Sequence, residues 1–370
     1  MSWVLAFVGF AALIILHEFG HFSAAKAVGM RVERFMLFFP PILAKVRRGE
    51  TEYGVGAIPL GGYVRITGMN PNEEIPPEAL PRAYFRQPVW KRVVVISAGP
   101  AMNLLIAFVI FFGLFLVQGE FKNALAVDQV VAGGPAQGKL QPGDRVLSID
   151  GRPGYRPGLS EQQIEARQAR FRALVSSHRC AVQPPTPGCQ ATTPVRVVVQ
   201  RDGTRRAYSI APRYDPAAKR MLLGLSYGTT KDVGPAAAAS LSGSAMWRVT
   251  KATVTAIARI FYSEKARKEV SGVVGSYEAT RQSFQFDTAQ ALNVLAIISL
   301  SLAVVNLFPF LPLDGGHIFW ALAEKLRGRP IPYAVIERAS VVGFMLVAVL
   351  FVIGLSNDIG RLRGEGFGVR

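Results

Sequence analysis

Four runs of this chain, Ser2–Ala25, Val93–Val117, Gln290–Leu313 and Ala339–Leu355, are apolar for close to the length a helix needs to cross a bilayer. The last extends past Glu337-Arg338 to take in Ala334–Ile336. Backbone at membrane depth must satisfy its own hydrogen bonds, so such runs imply an α-helical polytopic membrane protein of about four spans. Half of the 370 residues are hydrophobic, which suits spans combined with a soluble insertion. Ser23-Ala24-Ala25 has the small residues of a cleavage site, but no Lys or Arg precedes Lys26, so the basic start of a signal peptide is missing.

The net charge of +17 raises the question of nucleic acid, and its distribution argues against it. Eleven Lys and Arg lie from Lys26 to Arg92, between the first two runs, and Lys325, Arg327 and Arg329 occupy the connection between the last two. The positive-inside rule makes both connections cytoplasmic. The expected partner is then the lipid bilayer, with no nucleic acid, and both termini and Gly119–Ala289 lie outside. Arg361, Arg363 and Arg370 run against this orientation.

The first run holds His17-Glu18-Phe19-Gly20-His21. Two His four residues apart share a helix face, so both imidazoles can reach one Zn²⁺ with Glu18 beside it to move protons. Only four His occur in the chain, and ionisable groups at membrane depth are costly and usually functional. Such a zinc site needs a third protein ligand and an open position. The third run ends in Asn306-Leu307-Phe308-Pro309-Phe310-Leu311-Pro312-Leu313-Asp314-Gly315-Gly316-His317. Asp314 is a lone carboxylate there, either that ligand or a helix-end cap at the interface. Pro309, Pro312 and the Gly pair predict irregular backbone. His317 is either a group at the site or an ordinary residue at a helix start.

Thr51–Ile58 alternates like a strand, and Pro59-Leu60-Gly61-Gly62-Tyr63-Val64-Arg65-Ile66 reads as a Gly-rich turn and a second strand. Asn70–Pro88 reads as a polar loop. Gly99-Pro100-Ala101-Met102-Asn103, inside the second run, implies a local break or a close helix contact. Val127–Tyr227 is a candidate soluble domain. Gly133-Gly134-Pro135-Ala136 leads to the Pro142-Gly143-Asp144 turn and a strand to Gly151. Ser160 caps a helix to Ser176, and Val195–Gln200 and Thr204–Ile210 form a hairpin. Cys180 and Cys189 flank a Pro-rich loop and are either a short-range disulfide or two free thiols. Ala236–Tyr262 is helical in pattern, with Trp247, Val254, Ile257 and Phe261 near one face; it lies on the membrane surface or belongs to the soluble domain.

Together these motifs resemble the site-2 protease family of zinc intramembrane metalloproteases, in the bacterial branch that cuts anti-sigma factors. The likeness rests on His17–His21, Ile58–Val64, Gly99–Asn103, Asn306 and Leu313–Gly316, in order over nearly the whole chain. It implies one Zn²⁺ held by His17, His21 and Asp314, with Glu18 as acid/base. It further implies substrate contacts at Asn306 and at Gly61, Gly62 and Tyr63 of a membrane-associated β-hairpin or loop. The insert resembles a single α+β PDZ-like domain, in which Leu223, Gly224 and Leu225 would bind a peptide end. The expected organisation is a membrane half over 1–118, the PDZ-like domain over 126–228, an amphipathic connecting helix region over 236–285 and a second membrane half over 286–370. The implied activity is hydrolysis within spanning segments of single-span membrane proteins such as an anti-sigma factor, with signal-peptide remnants as further substrates. The implied location is the bacterial cytoplasmic membrane. A zinc transporter and a non-catalytic PDZ-bearing scaffold are the competing readings.

Overall fold

The computed structural model describes residues 1–69, 73–182, 184–216 and 218–363; the start of the loop at Asn70 and the C-terminal Arg370 lie outside the described residues. The chain divides into one unit made of Met1–Leu114 with Ala239–Arg370 and a second made of Phe115–Ala238. In chain order, α1 (Ser2–Ala27) is followed by β1 (Val32–Arg48), β2 (Thr51–Ile66) and α2 (Val89–Gln118). The second unit carries β3 (Glu120–Val130), β4 (Arg145–Ile149), β5 (Arg152–Pro153), α3 (Glu161–Ser177), β6 (Val195–Arg201), β7 (Thr204–Ile210), β8 (Arg213–Asp215), β9 (Arg220–Leu222) and β10 (Leu225–Lys231). Helix α4 (Pro235–Ile260) starts in the second unit and re-enters the first at Ala239, followed by α5 (Glu264–Glu269), α6 (Val273–Phe286), α7 (Thr288–Asn306), α8 (Asp314–Arg327) and α9 (Tyr333–Arg363).

Helices α1, α2, α7 and α9 are long and apolar enough to cross a membrane. Large apolar side chains such as Trp3, Val109 and Phe344 stay exposed on them, as expected where lipid replaces a protein core. Helix α2 runs unbroken through Pro100. Gly20 and Gly99 instead mark a close crossing of α1 and α2. A Cβ on Gly20 would strike the Ala98 carbonyl, and one on Gly99 would strike the His21 ring.

Strands β1 and β2 pair antiparallel, and their register shows that each is folded on itself. Arg34–Leu37 lies beside Glu52–Val55 and also beside Gly62–Arg65, while Ala44–Arg48 lies beside Thr51–Val55. Strand β2 therefore reverses between Ile58 and Gly62, where the sequence has its Gly-rich turn. Strand β1, bent where Phe38 takes a φ of 70°, is an addition to the strands expected from sequence. The arm Gly62–Ile66 forms an edge beside α1.

Helix α7 ends at Asn306, and α8 begins at Asp314. The intervening turn depends on absent side chains. A Cβ on Gly315 would meet the Leu307 carbonyl, and one on Gly316 would lie 2.5 Å from the Leu311 amide nitrogen. At the far end of α8, Glu324 accepts two hydrogen bonds from the buried Arg92 of α2, at 2.7 and 2.9 Å. A broken buried pair leaves an uncompensated charge, so this bidentate contact fixes the helix that starts with Asp314.

After the insert, α4 covers the helix expected over Ala236–Tyr262, and α5 and α6 follow it. Helix α6 packs on α1 and α7. Its own N-cap residue, Gly272, has no capping side chain, and Asp358 of α9 accepts from the Gly272 and Gly275 amides instead.

In the second unit the sheet order is β10-β3-β4-β6-β7, with β5 beside β4 and a separate β8-β9 pair. Its core comprises Leu125, Val127, Val146, Ile149, Phe171, Val195, Val197 and Ile210. Ser160 and Gln163 form a reciprocal capping box at the start of α3. Cys180 and Cys189 are joined in a disulfide.

Candidate active site

The helix period places His17 and His21 one above the other on α1, with ring centroids 4.9 Å apart. Both are buried. The α7–α8 turn brings Asp314 to them from the other end of the chain. Its Oδ2 lies 3.5 Å from His17 Nε2 and 3.4 Å from His21 Nε2. That oxygen is buried and has no hydrogen-bond partner among the described residues.

The donor set fits a small tetrahedral divalent metal. Bonds of about 2.0–2.1 Å to nitrogen and oxygen place tetrahedral ligand atoms roughly 3.3 Å apart, close to the separations found here. The three ligand atoms all lie within 4.8 Å of one another. Two neutral imidazoles and one carboxylate are an ordinary Zn²⁺ set that leaves one position open.

Each imidazole is held through its other nitrogen. His21 Nδ1 lies 2.9 Å from the Val95 carbonyl oxygen, and His17 Nδ1 lies 3.1 Å from Asn103 Nδ2. Asn103 is fully buried, and Ser299 of α7 donates to its backbone carbonyl. In the sequence Asn103 stands out as part of the Gly99–Asn103 motif but carries no assigned role at the site. A lone amide inside an uncharged span is itself a signal of a polar partner. Val95 acts through its backbone and carries no signal at all.

Glu18 of α1 lies against the β2 arm at Gly62. A Cβ on Gly62 would lie 3.0 Å from Glu18 Cγ. Glycine at this position therefore lets the strand edge approach the carboxylate. Tyr63 stacks on Phe39, with ring centroids 6.2 Å apart. Asn306 is the last residue of α7, two turns of chain before Asp314 in the same connection. His317 lies in the first turn of α8 and is not part of the His17–His21–Asp314 cluster.

Within the second unit, Leu223, Gly224 and Leu225 line a cavity of about 410 Å³ together with Phe171, Arg172 and Val175 of α3. The Leu223 and Gly224 carbonyls accept from Ala136 and Val131, which holds this segment against the Gly133–Ala136 turn. Strand β10 is the end strand of its sheet.

Comparison with known proteins agrees with this chemistry. The sequence model of Peptidase family M50 matches residues 5–350. A Rhizobium meliloti relative is 30% identical, over 95% of this chain and 94% of its own length. Zinc metalloprotease Rip1 of Mycobacterium tuberculosis is 29% identical, over 97% of this chain and 98% of its own. Protease RseP of Yersinia pestis is 26% identical, over 97% and 99%.

Proposed function

The chain belongs to Peptidase family M50, the site-2 proteases; it is a zinc metalloprotease, and we propose that it cuts peptide bonds inside the spanning segment of single-span membrane proteins. The observation that carries this reading is the convergence of Asp314 on His17 and His21, which lie with Glu18 on a helix apolar enough to cross a bilayer.

His17, His21 and Asp314 hold the zinc in this proposal. Bound there, the metal supplies a lowered pKa for water and a Lewis acid for the scissile carbonyl. Glu18 removes a proton from the attacking water through its carboxylate and returns it to the leaving amide nitrogen. Val95 and Asn103 keep the two imidazoles in place through their Nδ1 atoms.

The scissile carbonyl of a spanning helix is hidden in its own hydrogen bonds and must be exposed first. Unpaired backbone in lipid costs several kcal/mol per group, roughly, so the unwound stretch needs another partner. The edge at Gly61, Gly62 and Tyr63 offers strand pairing within reach of Glu18, and Asn306 offers a side-chain amide. Substrates with helix-weakening residues fit this route best.

We assign a PDZ-like role to the second unit on the groove between α3 and β10, with Leu223, Gly224 and Leu225 at its end. It receives a chain end or excludes bulky external domains. The assigned setting is the bacterial cytoplasmic membrane, with this unit and both termini outside. The assigned substrates are a membrane anti-sigma factor and signal-peptide remnants.

The test is Glu18→Gln in purified full-length protein in liposomes with a single-span reporter. Zinc content should stay near one per chain while cleavage falls by about 10²-fold or more. Undiminished cleavage would remove Glu18 from the chemistry.

A further inference from the structure

Helix α4 carries a cationic groove that the protease site does not use. Arg248, Lys251 and Arg259 line one cavity of about 470 Å³, together with Ala252, Thr255, Ala256, Ile260, Ala266 and Val270. All three cationic side chains are exposed, and among the described residues none of these side chains forms a hydrogen bond or ion pair. The cavity thus combines a cationic rim with a mostly apolar floor.

The rest of α4 gives this groove a setting. At about 100° per residue, its side chains fall into three arcs. One arc is packed: Ala238, Ser242 and Ala245 are buried, and Thr253 hydrogen-bonds Ser301 of the spanning helix α7 at 3.2 Å. A second arc holds Trp247 and Val254, continued just past the helix end by Phe261; they are 69%, 45% and 65% exposed. The cations occupy the arc between them. In a chain that spans a bilayer, exposed aromatics on a helix packed against a span belong among lipid, with Trp favoured at headgroup level. Long basic side chains beside such a stripe reach toward phosphates.

We propose that the α4–α5 groove is a binding site for an anionic glycerophospholipid. Its phosphate is held by Arg248, Lys251 and Arg259, and its upper acyl chains lie over Ala252, Ala256, Ile260 and Val270. The site anchors α4 at the membrane surface and is separate from the zinc centre.

The test uses full-length protein in mixed micelles, with bound lipid counted by native mass spectrometry. The probes are phosphatidylglycerol, phosphatidylcholine, soluble glycerol phosphate and an acidic peptide. Wild-type protein should retain phosphatidylglycerol over phosphatidylcholine. Arg248→Gln, Lys251→Gln and Arg259→Gln should weaken that retention by roughly fivefold per cation removed. The pair Arg248→Lys with Arg259→Lys, which keeps the charge, should retain it and guards against a folding artefact. Equal retention of the two lipids, or a preference that survives the triple Gln variant, would overturn the proposal. Glycerol phosphate or the acidic peptide competing as well as the lipid would likewise replace it with a soluble-anion or substrate-docking site.

Discussion

At the scale of the residue, the site depends on which nitrogen of each imidazole carries hydrogen. The Val95 carbonyl can only accept, so His21 carries its proton on Nδ1 and turns the Nε2 lone pair toward Asp314. His17 needs the same tautomer to share one metal with it. That requires the Asn103 carbonyl oxygen, rather than its amide nitrogen, to face His17 Nδ1. A half-turn of the amide supplies it and gives a partner to Oδ1, which is otherwise buried and unpaired. Aspartate can accept but not donate. Asn103→Asp should therefore keep zinc, whereas Asn103→Leu should weaken zinc affinity by roughly 10–100-fold in a chelator competition. Loss of zinc in the Asp variant alone would mean that Asn103 acts as donor. The His pair was legible because helix period alone brings their Cβ atoms together, and Glu18 because of its place between them in the motif. Asp314 was legible as an unusual residue, but its arrival beside the pair is a product of packing across the fold. The backbone carbonyl that orients His21 has no residue identity to read.

At the scale of the element, the folded-back β1–β2 pair decides what reaches Glu18. Its tip is tied down by Glu50, which bonds Arg82 at 2.7 Å and Lys26 at 2.5 Å. The Arg82 guanidinium beside it, with Lys26, lowers the Glu50 carboxyl pKa to about 2. A carboxyl whose folded pKa lies below its unfolded value stabilises the fold above the unfolded value, and the gain is lost as pH falls toward the folded one. Hydrogen-exchange protection at the Gly49–Thr51 turn should accordingly decline between about pH 4.5 and pH 2. A Glu50→Gln variant should show no such decline, and matching pH profiles would rule out this tether. Strand β2 was readable from its alternation and its Gly-rich turn. Strand β1 was not, because Phe38-Phe39-Pro40-Pro41 interrupts the pattern and its two arms pair with different parts of β2. In the same way, Gly99–Asn103 left a break and a close helix contact open. The structure has the close contact, at Gly99, and the helix continues.

At the scale of the whole molecule, the second unit is inserted between two halves of one membrane fold. Its ends are held together within the unit, since Glu120 pairs with Lys231. Excising it between Gly119 and Asp232, with a short Gly/Ser bridge, should leave the first unit folded and near-stoichiometric in zinc. The variant should also cut substrates with bulky external domains that the full chain spares. Loss of zinc on excision would mean that the insert supports the metal centre. The four long apolar runs were legible because length and lack of charge suffice to identify a candidate span. The three helices α4–α6 were less so, because their amphipathic faces satisfy several placements, and α6 is the one packed extensively on both α1 and α7 among the described residues.

The most direct test of the whole account is the position of zinc in the purified full-length protein, from an anomalous difference map collected at the zinc absorption edge. The account predicts one peak about 2.0–2.2 Å from His17 Nε2, His21 Nε2 and an Asp314 carboxylate oxygen, with Glu18 beside it and unligated. A peak bound elsewhere, or one that keeps its height in Asp314→Ala crystals, would contradict it.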